Sequence, residues 1–301
     1  MDVLFLSNYG EEGIGSTQEY LIRVMKRRGR VHHLRPRDGN ILQQINNHRI
    51  PLVDYILMFE GELDHAPEVA KLKIPKVWWF YDSMIIFNQQ IQWALNTEPD
   101  LVFIRDKRDV EKFASSLSCK TFWLPPGIDE TLWCPVDNRR TYDIGFIGWV
   151  SDIRASWLNR LAKGGRKVIA HTEAPKIWGE TSFIYDRGPR LEYNKASLLY
   201  SSSKLGFHHS FTGDITWRPM EVSACKTACL SDHWDALDDM FTPGKDIVVY
   251  NSDSEMEELS DYYLEHNEER EKIAEAAYNN VIKNHTWNNR LDIIENEVKK
   301  L

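Results

Sequence analysis

Arg218 and Glu221 stand three residues apart in the run GFHHSFTGDITWRPMEVSACKTACLSD, Gly206 to Asp232, which reads as strand, glycine-containing loop, helix and strand. On a helix that spacing puts both side chains on one face. A guanidinium is a fork of donors matched to phosphate oxygens. The N–H groups at a helix N-terminus, with the positive end of its dipole, attract the same anion. A carboxylate one turn on can accept the two hydroxyls of a ribose. The pair therefore reads as a grip for a nucleotide diphosphate, Arg218 on phosphate and Glu221 on ribose. The competing reading is an ion pair between the two on a solvated helix, a common arrangement that adds little stability.

Three other places could do chemistry. In YDIGFIGWVSDIR, Tyr142–Arg154, a strand runs into Gly148 and a helix starts near Ser151 or Asp152. Gly148 permits close backbone approach, and Arg154 falls in the first helical turn, where it meets phosphate or faces solvent. Asp82 ends the strand VWWFYDS, and carboxyl ends of parallel strands are where α/β sheets place ligands. Partial burial raises a carboxylate's proton affinity toward what a general base needs, so Asp82 is a candidate base; the alternative is a helix cap. His208 and His209 end the strand Leu205–His209, one of them either touching ligand or packed in the core.

The elements that must position these groups alternate. Apolar strands are expected at Val3–Ser7, Tyr55–Phe59, Val77–Tyr81, Leu101–Arg105 and Thr121–Leu124, then at Asp143–Ile147 and Lys167–His171, with helical segments between. Helices are read over Thr17–Arg28, Leu191–Ser203 and Leu291–Leu301, and Ala174–Arg187 reads as irregular. Alternating strands and helices imply parallel sheets covered on both faces. The chain has 301 residues, enough for two domains of about 150. The Leu-Pro-Pro-Gly run at Leu124–Gly127 ends a strand and suits a joint between them.

With 42% apolar and 27% charged residues and a net charge of −8, the chain has an ordinary globular composition, which disfavours broad nucleic-acid binding without excluding a local basic groove. One basic run, Arg23–Arg37, is either a solvated helix end or a patch for an anionic acceptor such as DNA. Cys225 and Cys229 fall four apart on an expected helix, and no histidine spacing completes a metal site, so reduced, buried cysteines in a cytoplasmic protein are expected. The aspartates at Asp235–Asp239 read as a solvated polar helix. No basic flank precedes the first strand, so no signal peptide is expected, and no apolar run approaches the ~18 residues of a membrane span. The glycines of the loop Asn8–Ser16 fit neither GxGxxG nor a P-loop.

The run RPMEVSAC, with TACLSD, FTPGKDIVVYN and REKIAEAAYNNVIKNHTWNNR after it, resembles the C-terminal half of the CgeB-like glycosyltransferases, over most of residues 100–295. Asp82 in its aromatic strand and the Arg-x-x-Glu also look similar, over a few short stretches, to the phage DNA β-glucosyltransferase. The resemblance implies an α/β, GT-B fold: two Rossmann-like domains facing across a cleft. They would span 1–127 for the acceptor and 128–285 for the nucleotide sugar, with 286–301 packing back on the first. It implies a donor diphosphate held by Gly148, Arg154 and Arg218, a ribose held by Glu221, and a base at Asp82. Gly13, Gly15, Ser16, His208 and Asp214 would lie near the sugar or acceptor. Many GT-B transferases carry Glu-x7-Glu; here Gly213 occupies the first position, so either Asp214 compensates or the sugar is held differently. No cofactor and no metal is implied, because arginines and a helix dipole neutralise the leaving diphosphate.

The implied function is transfer of a sugar from a UDP-sugar, or another nucleotide sugar, to an acceptor hydroxyl. A hydroxymethylated pyrimidine in DNA is one candidate acceptor; a polysaccharide, a protein or a small metabolite are others. A sugar-nucleotide 2-epimerase and a non-catalytic sugar-nucleotide-binding protein remain as alternatives. The oligomeric state is left open by the residues.

Overall fold

The computed structural model describes residues 1–8, 16–59, 67–136, 139–173, 182–210, 213 and 216–301. The chain divides into two compact units, Met1–Gly127 with Trp287–Leu301, and Ile128–Thr286.

Unit 1 holds the strands β1 (Val3–Leu6), β2 (Val31–Leu34), β3 (Tyr55–Phe59), β4 (Lys76–Phe80), β5 (Leu101–Ile104) and β6 (Lys120–Trp123). They form one parallel sheet in the order β2-β1-β3-β4-β5-β6. Its helices are α1 (Thr17–Arg28), α2 (Ile41–Asn47), α3 (Ser83–Thr97) and α4 (Val110–Ser116). The central strands are continuous apolar runs because both faces are buried. Their alternation sends Leu6, Met58, Trp78, Phe80 and Ile104 to one core. Phe5, Phe59, Trp79 and Tyr81 go to the other face, where their rings pack together.

Unit 2 holds β7 (Tyr142–Ile147), β8 (Val168–Thr172), β9 (Ile184–Arg187), β10 (Ser203–His208), β11 (Ala228–Asp232) and β12 (Val248–Tyr250). These are parallel in the order β12-β11-β10-β7-β8-β9. Counted within the unit this is the doubly wound order 3-2-1-4-5-6, whose topological switch falls between β7 and β10. Its helices are α5 (Asp152–Ala162), α6 (Tyr193–Ser201), α7 (Arg218–Ala224), α8 (Leu237–Met240), α9 (Asp253–Glu265) and α10 (Asn267–Asn284). Gly206 fixes the seat of α7: a Cβ there would come within 2.5 Å of Val222 Cγ1, so only glycine lets the helix lie this close to β10.

The last helix, α11 (Trp287–Val298), belongs to unit 1 and starts one turn before the expected Leu291. The reason is Trp287, fully buried and edge-on to Trp79 at 5.6 Å. With Leu291, Ile294 and Val298 it completes one buried face. On the same helix Arg290 is buried and donates through Nε to the carbonyls of Pro125 (2.8 Å) and Pro126 (3.1 Å). Burial lowers its pKa to about 10.

Several local expectations are corrected. Residues 184–187, read as irregular, form the edge strand β9, while 174–181 lie outside the described residues. Cys225 and Cys229 do not share a helix: α7 ends at Ala224, Lys226 takes φ +53°, and Cys229 sits in β11. Burial raises both thiols. Among the described residues, no helix is long and apolar enough to cross a membrane.

Candidate functional site

At the switch point of unit 2, β7 ends in Gly148, with φ +154° and its N–H on the His171 carbonyl at 3.0 Å. A side chain is excluded there. A Cβ would meet Phe146 Cζ at 3.2 Å and would lie 4.0 Å from Arg218 Nη2. The chain then turns into α5, whose N-cap Ser151 accepts the Arg154 N–H at 3.4 Å. The Arg154 side chain curls back over the turn. It donates to the carbonyls of Trp149 (2.8 Å) and His209 (3.2 Å) and stacks over Phe146. Its pKa is lowered, by burial first and by the nearby Arg218 second, so two cations are gathered here.

Arg218 is the first residue of α7 and pairs with Glu221 at 2.5 Å. The pairing of the two side chains is the alternative named from their spacing, but the helix face is not solvated: the side chains are 24% and 10% exposed. Burial raises the pKa of Glu221, against the opposing pull of Arg218 and Arg190. The helix N-terminus itself offers less than expected. α7 has seven residues, no capping side chain, and Pro219 without an N–H in its first turn.

A cavity of about 210 Å³ opens beside these groups. Gly148, Trp149, His171, Glu173, Arg190 and Arg218 are on its lining, and Arg154 is not. Of the expected diphosphate ligands, therefore, Gly148 and Arg218 meet the cavity, and Arg154 braces the turn behind them. His208 does not line it. Buried at the end of β10, His208 has its pKa pushed well below the ordinary range, by burial first and then by Arg218 and Arg154. Its Nε2 lies 3.4 Å from Thr216 Oγ1. The neighbouring His209 stacks on Trp157 at 3.6 Å and meets the Tyr250 hydroxyl at 2.7 Å.

In unit 1, Asp82 follows β4 with φ +51° and ψ +27°, at the start of α3 but without a capping bond. A non-glycine residue in the left-handed region is uncommon and costs about 1 kcal/mol or more. The residue is partly buried, as expected. The side chain is 49% exposed, and Arg105 holds it at 3.3 Å. That guanidinium, 9% exposed, packs over Tyr81.

Ser16 caps α1 by accepting the Glu19 N–H at 3.1 Å, which gives its hydroxyl a structural task. Gly13, Gly15 and Asp214 lie outside the described residues. The basic run Arg23–Arg37 is not an open patch. Arg28 bonds Asp292 (2.6 Å) and Glu295 (2.8 Å), Arg30 bonds Asp2 (2.5 Å), and Arg23 sits 3.8 Å from Glu19. Arg190, His171 and Trp149 were missed from the sequence. A histidine at the carboxyl end of a parallel strand, and an arginine in the Gly-Pro turn after the next, were the available signals.

A family model described as Glycosyl transferase-like matches residues 154–296. That description does not extend to the CgeB-like family that the sequence resembles. No curated protein sequence matches the chain. Among solved structures, HepE of Anabaena in complex with UDP and glucose is similar, at 13% identity and a TM-score of 0.69, with all of both chains covered. Sucrose-phosphate synthase from Thermosynechococcus elongatus is similar at 10% identity and a TM-score of 0.72, over 99% of this chain and 98% of that one. So is an α-glucosyltransferase in complex with UDP and a 13-mer DNA containing an HMU base, at 11% identity and a TM-score of 0.71, over 99% of each chain. With two parallel six-stranded α/β units and these likenesses, the chain has the GT-B fold of the glycosyltransferases.

Proposed function

We propose that the protein is a glycosyltransferase that takes its sugar from a UDP-sugar bound by unit 2. The observation that supports this most is the meeting of Gly148, Arg218 and the Arg154-braced turn at the switch point of the unit 2 sheet, beside a cavity. Doubly wound sheets hold nucleotides at that place. In the reaction, the bond from the anomeric carbon to the β-phosphate oxygen breaks, and the acceptor oxygen bonds to that carbon. The acceptor's proton leaves to a base, and the electron pair goes to the departing UDP. Arg218 and the nearby Arg154 would stabilise that growing charge. Glu221 would meet the ribose from its place beside Arg218. Asp82 is the candidate base, in competition with a purely structural task as counter-ion to Arg105.

The acceptor is a hydroxyl compound. A DNA acceptor draws support from the likeness to the α-glucosyltransferase complex, while the paired arginines of Arg23–Arg37 speak against that segment as its contact. It predicts binding that weakens steeply with salt. The function is tested by a thermal-shift panel of nucleotide sugars, followed by detection of UDP released from the best ligand. A UDP-sugar should raise the melting temperature most and be slowly hydrolysed without acceptor. No shift with any nucleotide sugar contradicts the proposal. An epimeric sugar nucleotide among the products would favour an isomerase instead.

A further inference from the structure

The segment 186–190, running from the end of β9 toward α6, is tied to the end of β8 at three points. His171 is 3% exposed. Its Nδ1 meets Asp186 Oδ2 at 2.8 Å and its Nε2 meets the Pro189 carbonyl at 3.0 Å. Gly188 N–H donates to the Thr172 carbonyl at 3.2 Å. Both partners of the imidazole are acceptors, so the ring is held between a carboxylate and a carbonyl. The clamp is close: a Cβ on Gly188 would lie 3.4 Å from His171 Cε1.

The residue that follows this clamp is Arg190, on the lining of the same cavity as Gly148 and Arg218. The balance of charge there gives it a task. Arg218 is already paired with Glu221, Glu173 puts a carboxylate on the lining, and the Arg154 guanidinium is engaged by two carbonyls. A diphosphate needs a cation that these pairings leave over. Among the described residues Arg190 makes no hydrogen bond or ion pair; its charge is felt at Glu221.

We propose that Arg190 is a further diphosphate-binding residue, and that His171 with Asp186 is its positioning pair. The proposal rests on the reading of the cavity as a nucleotide-sugar site. It is tested by calorimetric titration with UDP, pyrophosphate and uridine. Arg190→Ala should weaken UDP and pyrophosphate roughly tenfold or more, as for a lost charge-assisted bond, and leave uridine unchanged. Arg187→Ala, the same loss of charge outside the lining, should change none of the three. His171→Ala should weaken UDP in the same sense, and His171→Gln, which keeps a donor toward the Pro189 carbonyl, should restore most of it. If His171→Ala does not fold, Asp186→Asn carries the positioning test and should weaken UDP severalfold.

UDP affinity within twofold of wild type in Arg190→Ala overturns the proposal, as does an equal loss for uridine. Unchanged affinity in Asp186→Asn and His171→Ala overturns the positioning role. Absence of UDP binding in the wild type instead overturns the reading beneath it, and the proposal with it.

Discussion

The two sheets are built alike and finished differently at their carboxyl edges. Both have six parallel strands, and both reverse strand order once, between β1 and β3 in unit 1 and between β7 and β10 in unit 2. Beyond the central strands of unit 1 stand aromatic rings and ion pairs, among them Asp82 with Arg105 and Asp106 with Arg108. Beyond those of unit 2, Gly148, His171, Arg190 and Arg218 line a cavity, with Arg154 and His208 near Arg218. The same scaffold thus supports an edge governed by packing and an edge governed by charge. Fold and chemistry are set by separate residues.

The comparison can be broken most sharply at Trp79. Trp79→Ala removes a buried ring stacked edge-on to Trp287 and a 3.0 Å bond to the Leu124 carbonyl. It should destabilise the protein by about 3–5 kcal/mol in denaturant titrations, while folded protein keeps its UDP affinity. Arg218→Ala is the reverse case: a fall of roughly 100- to 1000-fold in kcat/KM for transfer, with a small change in melting temperature. Loss of folding rather than activity there would erase the contrast. Gly148→Ala sharpens it further. The new methyl group meets Phe146 and is strained by the positive φ, at about 1–3 kcal/mol. UDP binding should weaken roughly tenfold, by the same free-energy arithmetic.

A smaller effect separates the edges by pH. The folded pKa of His208 lies well below the ordinary histidine value of 6.5, chiefly through burial. Below 6.5 the unfolded chain binds a proton there that the folded protein refuses. Stability therefore falls as pH drops from 6.5 toward the folded pKa, by up to about 1.4 kcal/mol per pH unit. In His208→Gln, unfolding free energies measured between pH 7.5 and 5.5 should show a shallower slope. An unchanged slope would mean that His208 is not held neutral.

Strands and their carboxyl-end residues were legible because parallel sheets buried on both faces give unbroken apolar runs, as in YILMF and LVFI. The Arg218–Glu221 spacing was legible for the same local reason: three residues on a helix fix a face. What failed was non-local. Nothing within the basic run Arg23–Arg37 shows that Arg28 pairs with Asp292 and Glu295, which are 264 and 267 residues away in sequence. Arg190 is not legible locally, because the turn before it is tied down by His171 from the end of another strand. Asp82 is partly buried as expected, but nothing within VWWFYDS shows that Arg105, just past the next strand, would pair with it.

The central claim is that guanidinium groups at the edge of unit 2 hold the diphosphate of the donor. Titration of UDP into wild type and into the double variant Arg154→Ala, Arg218→Ala tests it most directly. The account predicts saturable binding by the wild type and none measurable in a double variant whose circular dichroism is unchanged. Equal affinity in the two proteins would contradict it.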